Sequence, residues 1–312
     1  LESVFVHEFT HILNMDKRYG FWRFLYIFTG RFVAFPNAIV PLWQLEGNAV
    51  YNESQLENSG RLSSSLARMI VRTDFLAGND RSLYEAANSH AGWPGGNIAY
   101  LYGAYFVNYM NSAYFEKGKF ADQFEINAHN IFPFQMYGNF RKQYGASLPD
   151  TWNEWKSFQL AEFANEKAKV ESAGITDFNL ICPYSFNSGN PRFESDSALY
   201  YVKDSPHTGE SIRFRKLNSK FIYDKKIEDT VYCQSFAGED GNLYYNSLEL
   251  YGNSRLYYDL KKSGKESASV RKKRSSWIDV KNGKVCMISE DAGKYVLSVC
   301  GSDFKNEKII LE

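Results

Sequence analysis

The chain has 312 residues, and its 36 Lys and Arg balance 36 Asp and Glu, so the formal net charge is zero. This balance argues against a nucleic-acid partner that is held by phosphate neutralisation. Hydrophobic residues make up 44% of the chain and there are only 8 prolines. The composition excludes intrinsic disorder and provides for a globular core, and the length suggests one large or two ordinary domains.

No apolar run reaches the roughly 20 residues that a membrane-spanning helix needs. The most aromatic segment, 19–43, is interrupted by Gly and Pro. We interpret it as a short helix and a long loop that form the wall of a cleft. An interfacial membrane contact is the alternative.

The four cysteines lie in the second half of the chain and form no Cys-x-x-Cys pair, which makes a thiolate zinc site improbable. Cys286 and Cys300 are predicted to be neighbours on adjacent strands, and the sequence leaves open whether they are thiols or a disulfide.

Near the start of the chain stands the motif His7-Glu8-Phe9-Thr10-His11. In the predicted helix Leu1–Asn14, residues four apart share a face, so both imidazoles can bind one Zn²⁺. Glu8 lies about 100° round the helix, beside the metal position, where it can accept a proton from water. The alternative is a helix with two surface histidines.

The apolar residues of this first helix form a broad stripe, and we expect them to be buried with the histidines among them. They are Val4, Phe5, Phe9, Ile12 and Leu13.

A second helix is predicted over Leu42–Gln55, with Pro41 placed to start it. Glu46 is an acidic residue in an apolar context, directly before Gly47, which lets another backbone approach closely. Glu53 lies about two turns further on the same face, where its carboxylate could hold a ligand histidine through the second ring nitrogen. For both residues, a solvated surface charge is the alternative.

Further helices are predicted over Leu62–Phe75, Tyr100–Tyr114 and Asp150–Val170, the last with Asp150 or Thr151 as N-cap. The remaining histidines follow no ligand spacing and are interpreted as ordinary polar residues. They are His90, His129 and His207.

From about residue 172 the period changes to short alternating runs separated by Gly, Asn, Asp and Ser, which indicates an all-β region. The predicted class is therefore α+β, with domains 1–171 and 172–312. Stretches ending near Lys220, Ser263 and Glu312 resemble repeats of propeller-blade length. The predicted strands are 198–202, 211–214, 242–245, 255–258, 284–288 and 295–299.

Taken together, the His7–His11 motif and Trp43-Gln44-Leu45-Glu46-Gly47 resemble the gluzincin, or peptidase MA-like, metallopeptidases. The resemblance implies that His7, His11 and Glu46 bind zinc and that Glu8 is the general base. It also covers Tyr100-Leu101-Tyr102-Gly103, which is similar to a Tyr-x-x-Gly motif whose Tyr stabilises the oxyanion. The chain departs from the family at Tyr102, where the aminopeptidases usually have Lys. Tyr100 is the predicted donor and Tyr102 the runner-up.

The overall pattern is similar to bacterial proteins that join such a domain to a TolB-like β-propeller. Gly60-Arg61, Trp93-Pro94-Gly95-Gly96 and the segment 191–197 carry this part of the resemblance. It implies a cell-envelope location, a peptide or protein substrate and a protein partner for the propeller. It also implies a lobe before residue 1. We therefore expect the chain, which contains about three blades, to be an internal piece of a longer protein.

The sequence thus predicts zinc-dependent peptide-bond hydrolysis. Two alternatives stay open: a non-enzymatic envelope binding module with a structural zinc site, and a zinc hydrolase that acts on non-peptide amides.

Overall fold

The computed structural model describes residues 2–30, 33–56, 60–88, 93–94, 96–132, 134–177, 181–182, 187–205, 208–217, 223–252, 254–291 and 293–312. The chain divides into two compact units, Leu1–Thr176 and Asp177–Glu312. The first is helical and the second is all-β, so the predicted α+β class is confirmed. The division falls at 176/177, close to the predicted boundary at 171/172.

The described part of the first unit contains nine α-helices. They are α1 (Glu2–Met15), α2 (Gly20–Thr29), α3 (Leu42–Glu53), α4 (Ser65–Leu76), α5 (Leu83–Ala87), α6 (Ile98–Ala113), α7 (Asp122–His129), α8 (Met136–Tyr144) and α9 (Leu148–Ser172). Short 3-10 helices occur at Pro36–Ile39, Arg61–Ser63 and Phe115–Lys117. Sequence reasoning missed α5, α7 and α8, which are short. No helix in these ranges is long and apolar enough to cross a membrane.

Helix α9 begins earlier than predicted. Ser147 is its N-cap, and its Oγ accepts a hydrogen bond from the backbone N–H of Asp150 at 3.3 Å. The predicted caps, Asp150 and Thr151, lie inside the first turn, because a Ser before Leu-Pro satisfies the free N–H groups of a helix start.

The core of the helical unit is unusually aromatic and lies between α3, α4, α6 and α9. On α9, Phe158 and Leu160 are exposed, whereas Trp152 and Trp155 are buried. The largest side chains buried in this core are Trp43, Trp152, Trp155, Tyr102 and Tyr144.

Helices α3 and α6 approach each other at two glycines, Gly47 and Gly103. A Cβ atom on Gly47 would stand 2.3 Å from the carbonyl carbon of Gly103, and one on Gly103 would stand 2.1 Å from the carbonyl oxygen of Trp43. Real Cβ atoms do not approach that closely, so both positions require glycine. This contact brings Glu46 on α3 beside the first turn of α6, where Tyr100 lies.

The orientation of α1 differs from the prediction. Its buried residues are polar: His7, Thr10 and Asn14. The apolar stripe predicted to be buried is exposed instead, since Val4, Phe5, Phe9, Ile12 and Leu13 each have 45–67% of their surface accessible. Periodicity identified an amphipathic helix correctly but could not tell which face packs against α3.

The described part of the second unit contains twelve strands in three four-stranded antiparallel sheets. They are β1 (Asn187–Ser195), β2 (Ala198–Ser205), β3 (Gly209–Lys216), β4 (Tyr223–Thr230), β5 (Phe236–Glu239), β6 (Asn242–Tyr251), β7 (Arg255–Gly264), β8 (Ala268–Val270), β9 (Ser275–Lys281), β10 (Lys284–Asp291), β11 (Lys294–Gly301) and β12 (Lys308–Leu311). Within each sheet the four strands are consecutive in the sequence, and each strand pairs with the next one.

The three sheets pack on one another through apolar clusters, and their first strands β1, β5 and β9 are neighbours. One cluster, which includes Phe236, lies between the first two sheets, and another, which includes Leu260 and Ile278, lies between the last two.

All four cysteines are thiols. Cys286 pairs with Val299 across β10 and β11, and Cys300 pairs with Val285. Because adjacent residues point to opposite faces, the two thiols cannot meet.

Candidate metal centre

Three side chains from two helices converge at the contact between α1 and α3. The Nε2 atoms of His7 and His11 are 3.1 Å apart, and each is 3.3 Å from Oε2 of Glu46. We call these three residues the metal cluster. They are the His, Cys, Asp and Glu residues that could hold a metal ion together in the described part of the chain.

The dimensions of the metal cluster fit a tetrahedral ion. With bonds of about 2.0–2.1 Å, the ligand atoms of tetrahedral zinc lie about 3.3–3.4 Å from one another. The three distances in the cluster, 3.1, 3.3 and 3.3 Å, form a triangle of nearly that size. Within the described residues, three protein donors occupy one face of a tetrahedron and leave its fourth position open.

The electrostatics of Glu46 also fit a cation. Its side chain is 12% exposed, and its Oε2 atom is buried without a hydrogen-bond donor of good geometry. Burial raises the pKa of Glu46, but the nearby imidazoles of His11 and then His7 outweigh it and lower the pKa overall. The carboxylate is therefore ionised and aimed at two imidazole nitrogens, as a ligand set requires.

Glu53 lies behind His7 and fixes its tautomer. Its Oε2 is 2.9 Å from His7 Nδ1, and its Oε1 accepts the backbone N–H of Arg61 at 3.1 Å. An ionised Glu53 accepts a hydrogen bond from Nδ1–H of His7, and this tautomer leaves the lone pair of Nε2 free for a metal. Asn52 adds a link between the two helices, since its Nδ2 donates to Thr10 Oγ1 at 3.4 Å.

Glu8 and Tyr100 lie beside the metal cluster, outside the triangle of donors. Glu8 is exposed on α1. The ring of Tyr100 stacks at 6.3 Å and 17° on the imidazole of His7. Burial, then the charge of Glu46, raises the pKa of the Tyr100 hydroxyl; Arg61 opposes this and Glu8 adds to it. The structure thus brings a neutral O–H donor and a carboxylate to the same cluster.

The runner-up, Tyr102, faces away from the metal cluster. Its hydroxyl donates to Oδ2 of Asp74 at 2.7 Å, and only 1% of the residue is exposed. Burial, then this hydrogen bond, raises its pKa. Residues two positions apart on a helix point about 200° away from each other, so only one of the two tyrosines can face the cluster.

Sequence reasoning gave Arg61 no role, yet its guanidinium lies 4.9 Å from the ring centroid of Tyr100. The pair Gly60-Arg61 was a signal, but no spacing rule connects it to Tyr100. Of the remaining histidines, His129 stacks on Tyr19 at 4.2 Å, and His90 and His207 lie outside the described residues.

No model of a known protein family, no curated protein and no solved structure matches the chain. The function must therefore be argued from the geometry of the site. The site suits metal-assisted attack of water on a carbonyl. It combines two imidazoles and a carboxylate as metal donors with an exposed carboxylate and a tyrosine hydroxyl beside them.

Proposed function

We propose that the helical unit is a gluzincin-type, zinc-dependent peptidase that cleaves a peptide or protein substrate. The observation that carries this proposal is the triangle of His7, His11 and Glu46 donor atoms, with Glu8 on the same helix but outside it. A structural zinc site has four protein ligands, whereas a catalytic site keeps one position open. Three donors with an adjacent base support the second kind.

The chemistry divides among the residues of the site. Zinc, when bound, lowers the pKa of a water in its open position and polarises a carbonyl oxygen. Glu8 accepts the proton of the attacking water and later passes it to the leaving amine. The Tyr100 hydroxyl donates a hydrogen bond to the oxyanion of the tetrahedral intermediate. Glu53 holds His7 in the tautomer that leaves Nε2 unprotonated.

For the second unit we propose part of a TolB-like β-propeller that binds a protein partner, and for the whole protein a cell-envelope location. Propellers are built from four to eight blades of four-stranded sheets. Three consecutive four-stranded sheets with neighbouring first strands support this assignment.

The three sheets also favour a second candidate, a non-enzymatic envelope binding module in which zinc is only structural. Two features oppose it: the metal cluster offers three donors within the described part of the chain, and Glu8 is intact beside them. A hydrolase of non-peptide amides is the third candidate.

The test is cleavage of a peptide library by the zinc-loaded chain, with a chelator and then with zinc restored. We expect cleavage that chelator abolishes and zinc recovers. Glu8→Gln should keep one zinc and lower kcat about 10²–10⁴-fold, the usual contribution of a general base. Glu2→Gln, an exposed change on the same helix, is the matched control. A zinc-loaded chain that cleaves no peptide would favour the binding module, and cleavage of simple amides alone would favour the third candidate.

A further inference from the structure

Arg61 contacts two residues that surround the metal cluster. Its guanidinium carbon lies 4.9 Å from the ring centroid of Tyr100, and its Nε is 3.7 Å from Oε1 of Glu53. A guanidinium within about 6 Å of an aromatic centroid is attracted by the negative face of the ring. Arg61 is thus the cation that faces the proposed oxyanion donor.

The backbone of Arg61 is fixed on the end of α3. Its N–H donates to Glu53 Oε1 at 3.1 Å, and the N–H of Leu62 donates to Ser54 Oγ at 3.1 Å. Gly60 has φ +78°, and a Cβ there would lie 2.3 Å from Ser54 Oγ. Only glycine suits that position, and its lack of a side chain lets the backbone before Arg61 pack directly on Ser54. The base of the side chain is therefore held in place.

We propose that Arg61 is a positioning residue that holds the ring of Tyr100 against the metal cluster, so that its hydroxyl stays where the oxyanion forms. This inference rests on the proposed hydrolytic function. Tyr100 is only partly buried, and within the described residues its neighbours at the cluster are His7 and Glu46. A stacked cation limits the swing of the ring, and a shift of about 1 Å in a catalytic group can cost about 10² in rate.

The effect of the Arg61 side chain is expected at Tyr100 rather than at the zinc ligands. Its 3.7 Å approach to Glu53 is longer than a hydrogen bond. Glu53 keeps its contacts to His7 Nδ1 and to the backbone N–H of Arg61 when only the side chain changes. Loss of the Arg61 side chain should therefore reduce kcat and leave zinc affinity nearly unchanged.

The experiment compares Arg61→Met with the parent protein, in the normal and in the Tyr100→Phe background. Met keeps the length of the stem but removes the charge and the planar group. We expect kcat to fall about 10–10²-fold with KM little changed, and no further fall in the Tyr100→Phe background. Zinc affinity, measured by chelator competition, should stay within about threefold, whereas Glu53→Gln should weaken it about 10–100-fold.

Two matched variants support the interpretation. Arg61→Lys, which keeps a cation but loses the planar face, should recover part of kcat. Arg68→Met removes a cation that lies 5.4 Å from the ring of Phe163, away from the cluster, and should leave kcat unchanged. Unchanged kcat in Arg61→Met, or an equal loss in the Tyr100→Phe background, would overturn the proposal.

A crystallographic comparison separates failure of this inference from failure of the proposed function. In zinc-loaded crystals of Arg61→Met we expect the Tyr100 hydroxyl to move by about 1 Å or more from its position in the parent. If the parent cleaves no peptide, the proposed function fails, and this comparison still decides whether Arg61 holds Tyr100. An unmoved Tyr100 contradicts the positioning role whatever the activity.

Discussion

Two of the four tyrosines on helix α6 belong to two different clusters of polar side chains in the same helical unit. Tyr100 lies at the metal cluster, and Tyr102 lies at a second cluster with Asp74 and Arg81, which we call the Asp74 cluster. Both clusters combine a buried carboxylate, a cationic or imidazole partner and a tyrosine hydroxyl. Composition alone does not distinguish them.

The difference lies in how the polar atoms are satisfied. Asp74 Oδ2 accepts from the Tyr102 hydroxyl at 2.7 Å and from Arg81 Nε at 3.2 Å, and Arg81 Nη2 donates to the carbonyl of Trp93 at 3.2 Å. Glu46 Oε2, in contrast, is buried without a well-placed donor and faces two imidazole nitrogens. A network that satisfies itself supports the fold, whereas two imidazole nitrogens and a carboxylate oxygen that converge within 3.1–3.3 Å of one another indicate a cation site.

The largest contrast between the clusters is expected in turnover. Tyr100→Phe should lower kcat about 10²–10³-fold, because one oxyanion donor is lost, while zinc content stays normal. Tyr102→Phe, two residues away on the same helix, should leave kcat nearly unchanged because its hydroxyl contacts Asp74. Steady-state kinetics on one peptide substrate measure both.

Two other outcomes would change the assignment. A loss in Tyr102→Phe alone would transfer the donor role to Tyr102. Equal kcat in both variants and the parent would mean that neither hydroxyl reaches the oxyanion.

The sequence predicted those parts of the site that depend on local geometry. Helical spacing alone places His7 and His11 on one face with Glu8 beside them. Gly47 signalled a close helix contact, and the structure places Gly103 there. The role of Arg61 could not be predicted, because its contact with Tyr100 joins residues 39 positions apart without a shared period.

The second unit shows the same limit in a different form. The six strands predicted from alternation are β2, β3, β6, β7, β10 and β11, which are the two central strands of each sheet. The six strands that alternation did not predict are the edge strands, of which β1 overlaps the segment 191–197 marked by the resemblance. Central strands pair with a neighbour on both sides and carry an apolar pattern. Among the edge strands, β5, β8 and β12 have only three or four residues, and β4 contains Asp-Lys-Lys. An alternating apolar pattern therefore identifies the buried central strands and fails to identify the edge strands.

A second contrast is expected in zinc affinity. Glu46→Gln replaces a charged donor by a neutral one and should weaken zinc binding about 10²-fold or more, since loss of a residue behind a ligand already costs 10–100-fold. Asp74→Asn, which changes a buried carboxylate outside the metal cluster, should leave the affinity unchanged. Competition with a chromogenic chelator gives both values. Unchanged zinc stoichiometry and affinity in Glu46→Gln would remove Glu46 from the ligand set.

The smallest contrast is expected in the free energy of unfolding. Here the change at Tyr102, not the change at Tyr100, should have the larger effect. In the metal-free protein, Tyr102→Phe should lower the free energy of unfolding by about 1.5–3 kcal/mol, the usual contribution of a hydrogen bond to a charged group. Tyr102 is 1% exposed, so no water can replace the lost donor to Asp74. Tyr100 is partly exposed and its hydroxyl can bond to water, so Tyr100→Phe should cost less than about 1 kcal/mol. Urea denaturation with chelator present measures both, and a larger loss in Tyr100→Phe would show that Tyr100 serves the fold rather than the metal cluster.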